Sequence, residues 1–127
     1  MKAMAQVLLG VVLAVVLTSI LLPNTSIAWM RDHWSWFNRP MLAIERVGGS
    51  VNLVHAVLFV LLGMATRLAF PRWTLRQAAG AFLLFGIATE LVQFVIPGRH
   101  PRLSDVAVDL VAALLGWAAF RGLRGRL

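Results

Sequence analysis

The chain of 127 residues contains no cysteine. Disulfides, thiolate metal sites and thiol nucleophiles are therefore excluded. Tyrosine is absent as well, so no phenol serves as acid or nucleophile. Charge is scarce: 13% of the residues are Asp, Glu, Lys or Arg, against about a quarter in an ordinary soluble domain. The acids number only five. No stretch alternates apolar and polar residues as a half-buried strand would.

What fills the space is hydrocarbon. Sixty per cent of the residues are hydrophobic, against about half in a soluble domain. This composition makes the bilayer the natural solvent. In a soluble protein the net charge of +7 would point to nucleic acid. In a membrane protein it points to arginines at helix ends, and no soluble basic module is present to bind nucleic acid.

Four apolar segments stand out, at residues 3–22, 51–70, 75–96 and 103–120. Pro23, Pro71, Pro97-Gly98 and Arg121 end them. About 20 helical residues cross the roughly 30 Å hydrocarbon core. Backbone amides at that depth need internal partners, which helices supply. The expectation is an all-α protein, a single domain over residues 1–127, built as a small polytopic bundle of four transmembrane helices. The first segment has a rival reading. Lys2, an apolar run and Ser26-Ile27-Ala28 resemble a signal peptide, and its removal would leave three helices. The run is longer than the usual signal core, which favours a retained helix.

An N-terminus in the cytoplasm places Lys2, Arg67, Arg72, Arg76, Arg121, Arg124 and Arg126 inside. Arg31, Arg39, Arg46, Arg99 and Arg102 then lie outside. The positive-inside rule thus favours both termini in the cytoplasm, by a narrow margin. The outer connection from Pro23 to Ser50 carries Trp29, Trp34, Trp36 and Phe37. Such a segment suits the headgroup layer, as an anchor or as a lid.

Polar residues gather toward one end of the spans. Glu90 and Gln93 are three apart and share a helix face. Asp105 and Asp109 are four apart, on a stripe that continues through Ala112 and Gly116, as close helix packing requires. Asn52 and His55 lie early in the second span. Alternating spans put all of these in the leaflet that faces Arg99, His100 and Arg102. Glu90 is deep enough to need an arginine or histidine partner, a proton or a wet cavity. Bland readings stand beside the functional one. Glu90 and Gln93 suit a hydrogen-bonded lock between helices, His55 a satisfied interior histidine, and Asp105 or Ser104 a helix cap. Taken together, carboxylates, an imidazole and arginines at one level suit an anionic ligand such as phosphate. Glu90, His55 and Asp105 are the catalytic candidates; Arg99, Gln93, Asp109, Arg102 and Asn52 are the binding candidates. No metal motif such as H-E-x-x-H occurs, and neither a metal nor a cofactor is expected.

The ordered set Glu90-x-x-Gln93, Pro97-Gly98-Arg99, Ser104-Asp105 and Gly116 resembles the VanZ-like membrane proteins. His55 matches the histidine that those proteins carry early in a preceding helix. The resemblance covers roughly residues 52–120. Asp109 stands where the family usually has asparagine, and Ala112 where it has glycine. Asn52 lies near the place of an acidic or lysine residue. The resemblance implies a bacterial inner-membrane protein of the cell envelope, in a family whose named member is associated with resistance to the glycopeptide teicoplanin. The resemblance supplies no reaction of its own, although VanZ-like proteins have been suggested to belong with enzymes that act on lipid or lipid-linked head groups. Three functions follow as expectations: a lipid head-group hydrolase or transferase, a non-catalytic envelope accessory or lipid binder, and a transporter. The last lacks an inverted repeat and would need an oligomer. The sequence leaves a homo-oligomer open.

Overall fold

The computed structural model describes residues 2–48, 53–98 and 100–124. The described chain is all-helical: α1 (Lys2–Leu21), α2 (Asn24–His33), α3 (Ser35–Gly48), α4 (Leu53–Ala69), α5 (Leu75–Gln93) and α6 (Leu103–Arg124). Helices α1, α5 and α6 are long and apolar enough to cross a membrane. Helix α4 is equally greasy but has 17 residues, about 26 Å at 1.5 Å per residue. That falls a little short of the roughly 30 Å core, a mismatch that local thinning accommodates at modest cost.

Local chemistry sets the helix ends. Pro23 lacks the amide to continue α1, yet its carbonyl accepts the Ser26 and Ile27 amides and so starts α2. At Trp34 the backbone is extended, which separates α2 from α3. The connection after α1 is therefore two short helices carrying the tryptophans. Between α4 and α5, Trp73 donates its amide to Phe70, and the Phe70 and Trp73 rings stack 4.6 Å apart. Thr74 then begins α5 with a capping box. The Gln77 amide donates to Thr74 Oγ1, and the Thr74 amide donates to Gln77 Oε1. Helix α5 stops at Gln93, three residues before the apolar run does. Phe94, Val95 and Ile96 bond three residues back, in tight turns that lead to Gly98 at φ 78°. That left-handed conformation is open to glycine without steric cost.

Packing follows from small residues. Gly63 of α4 lies against the Ala113 carbonyl and the Trp117 amide, and Gly116 of α6 lies against the Val60 carbonyl. These paired glycines bring the two backbones together, and α4 and α6 share the most extensive helix contact. Helix α1 packs on α4, and α5 packs on α6. The core they enclose includes Val16, Ile20, Phe59, Leu62, Phe82 and Trp117. Outside, Met4, Val7, Val11, Leu84 and Leu91 stand exposed. Such surfaces are a liability in water and a match for lipid.

Gly86 approaches Val106, and Glu90 bonds Arg102, so α5 and α6 are antiparallel. The Phe59–Phe85 ring contact across the short α4–α5 turn makes those two antiparallel as well. One end of the bundle therefore holds the start of α4, the end of α5 and the start of α6. The end of α1, with α2 and α3, lies there too, because Leu22, Ile27 and Phe37 share a cavity with Val54 and Leu58. At the other end, Arg67 places its guanidinium 4.6 Å from the Trp117 ring and donates to the Trp73 carbonyl at 3.1 Å.

Candidate functional site

The polar end is built where α5 meets α6. Gly86 is small enough for Val106 to lie against it, and one turn further on the two helices enclose polar side chains. Glu90 and Gln93 of α5 and Asp109 of α6 are all buried. Asp105 is half-buried in the first turn of α6 and accepts from Ser104 Oγ at 3.3 Å. Glu90, Asp105 and Asp109 lie within electrostatic reach of one another, so the structure assembles all three acids into one cluster.

Glu90 has a partner that its residue type did not announce. Its Oε2 accepts the backbone amide of Arg102 at 2.9 Å. Arg102 immediately precedes α6, where amides lack intrahelical partners and the helix dipole is positive. A carboxylate on α5 thus caps α6. Such a charge-assisted bond offsets part of the cost of burying the acid. The sequence pointed instead to an arginine or histidine side chain, a proton or a wet cavity.

The other candidates fall in different places. Gln93 lies one turn beyond Glu90 on the buried face of α5. Arg102 contributes its amide inward while its side chain is exposed. His55 is half-buried near the start of α4 and lines a cavity of about 500 Å³ walled by α1, α2, α3 and α4. None of the three acids lines that cavity. Asn52 and Arg99 lie outside the described residues. Among the described residues, no three His, Asp or Glu side chains are arranged to hold a metal ion.

Sequence reading missed Gly63, although a glycine within an apolar span is the available signal for close helix approach. It also missed Trp117, whose buried Nε1 has no hydrogen-bond partner among the described residues. Nothing in the side-chain pattern marked the Arg102 amide, because every residue but proline carries one.

The apolar helices, their lipid-matched exterior and a polar cluster confined to one end define a small multi-pass membrane protein. The chain belongs to the VanZ/LLP1 family, whose model matches residues 4–124. That match extends into α1, beyond the motifs that first carried the resemblance. Searches of curated proteins and of solved structures return no match.

Proposed function

We propose that this protein binds the phosphate-bearing head group of a membrane lipid or lipid-linked envelope precursor at the outer face of the bacterial inner membrane, and hydrolyses or exchanges it. Burial of Glu90, Gln93 and Asp109 at the end of the bundle where Glu90 accepts the Arg102 amide and the Arg102 side chain is exposed supports this reading. Arg102 and Arg99 hold the phosphate through paired guanidinium donors. Glu90 is the general base, with Asp105 the other catalytic candidate at this end, since His55 faces the separate α1–α4 cavity; Gln93, Asp109 and Asn52 orient the head group or a water. Lys2, Arg72 and Arg76 belong to the opposite end of the bundle, which the positive-inside rule assigns to the cytoplasm. Both termini are then cytoplasmic, and the tryptophans of α2 and α3 lie in the outer headgroup layer.

One observation favours a non-catalytic version. Glu90 is engaged as the cap of α6, a structural task. In that version the protein is a lipid-binding envelope accessory that alters susceptibility to glycopeptides. Wild type and Glu90→Gln, incubated in nanodiscs with phospholipids and undecaprenyl-linked precursors, separate the two. An altered head group seen by mass spectrometry with wild type alone, both proteins being folded, establishes the enzyme. Lipid-dependent stabilisation without any product establishes the binder. The absence of both refutes the head-group reading.

A further inference from the structure

The cavity beside His55 is a second site, separate from the acid cluster. We propose that it holds one acyl chain of an anionic membrane phospholipid, and this inference stands without the head-group reading. Its volume of about 500 Å³ lies within the range of small-molecule sites. Ala14, Leu22, Ile27, Met30, Met41 and Leu58 make its walls apolar. The two methionines are flexible and polarisable, and so adapt to a chain of variable conformation.

In a bilayer the choice of filling is water or hydrocarbon, and the lining argues against water. Its polar side chains are Thr18, Ser19 and His55. Both hydroxyl protons are already used: Thr18 Oγ1 donates to the Ala14 carbonyl and Ser19 Oγ to the Val16 carbonyl, each at 2.8 Å. A buried water needs roughly two to four polar partners, and a space of this size would take several waters. Hydrocarbon needs none. Ala14, Val15 and Thr18 are exposed along the α1 wall, so the cavity is open to a chain entering from the side. Its other walls are α4 and the pair α2 and α3; Trp29 and Trp36 lie on that pair with exposed Arg39 and Arg46, and Trp34 lies at the joint between the two helices. Indole rings place these helices at the headgroup level, and the guanidinium groups there favour an anionic head above the enclosed chain.

The test uses full-length protein in vesicles containing phosphatidylglycerol with a photoreactive diazirine midway along one acyl chain. Crosslinked peptides are mapped by mass spectrometry. Labels on Leu22, Ile27 and Met41 that disappear in Ala14→Phe, with labels on Leu84 and Leu91 retained, support the proposal. Because Ala14 is exposed to the cavity, the added ring fills it without entering the core. Labels confined to the outer faces, or cavity labels unchanged in folded Ala14→Phe, overturn it. A second measurement stands independently of that variant. The chain has no native cysteine, so Ser19→Cys and Thr25→Cys each provide one unique thiol. A charged methanethiosulfonate modifying Ser19→Cys as fast as the exposed Thr25→Cys would mean a water-filled cavity and overturn the proposal. Protection of Ser19→Cys supports it.

Discussion

Glu90 combines two demands on one side chain. It is a buried acid in an apolar span, and it supplies the acceptor for the Arg102 amide just before α6. The amide oxygen of glutamine can accept the same bond, whereas alanine cannot. Glu90→Gln is therefore expected to fold and melt near wild type in detergent. Glu90→Ala should lose about 1–3 kcal/mol, because the Arg102 amide is left unsatisfied. Equal melting of the two variants would remove the cap from the account. Asp109 presents the opposite case. Its side chain is buried with Asp105 and Glu90 nearby, so a charge there loses its hydration first of all and meets like charges as well. Asp109→Asn removes like-charge repulsion at nearly constant volume, so its melting temperature should equal or exceed that of wild type. A clear drop would show that Asp109 has a bonded partner that needs its charge. At this scale the sequence revealed which acids share a helix face, since spacing alone decides that. It did not reveal their partners, because a backbone amide carries no residue-specific signature.

Helix contacts depend on what small residues permit. A methyl group on Gly63 or Gly116 would run into the carbonyl of Ala113 or Val60, and backbone cannot give way as a flexible side chain does. Gly63→Ala and Gly116→Ala are each expected to destabilise the protein by about 1–3 kcal/mol, the usual cost of overpacking. Gly10 and Gly80 have open space around the missing methyl and serve as controls. Alanine there should be neutral or stabilise slightly, since it is the better helix former. Thermal unfolding of the four variants checks the contrast; a uniform response would mean that α4 and α6 do not meet through these glycines. Thr74→Ala should cost about 1 kcal/mol by removing the capping box of α5. The long helices were legible as apolar runs, three of them ended by proline and the fourth by Arg121, which α6 passes to reach Arg124; Gly116 was legible through its small-residue stripe. Helices α2 and α3 were not. They are short and mixed in polarity, so no span-length run marks them. The early end of α5 was hidden too, because Phe94, Val95 and Ile96 prolong the apolar pattern through turns that are no longer α-helical.

The acids gather at one end of the molecule, Lys2, Arg67, Arg72 and Arg76 lie at the other, and the sides between are apolar. The proposed direction of insertion rests on alternating helices and on the basic residues at the end opposite the acids. His55 and the acids were expected together because alternation puts them toward one membrane face. The fold satisfies that alternation, but rotation about the helix axes sends His55 into the α1–α4 cavity, while the acids line the α5–α6 contact. Depth was legible from position along a span; facing direction depended on packing that small residues decide. The most direct test of the head-group reading uses Arg102→Ala. This substitution removes the exposed guanidinium but keeps the amide that Glu90 holds, so the bundle should stay intact. Native mass spectrometry of wild type and Arg102→Ala released from phosphatidylglycerol nanodiscs would count the lipids that each retains. The account predicts that the variant melts like wild type and retains less lipid; equal retention by the two folded proteins would contradict it.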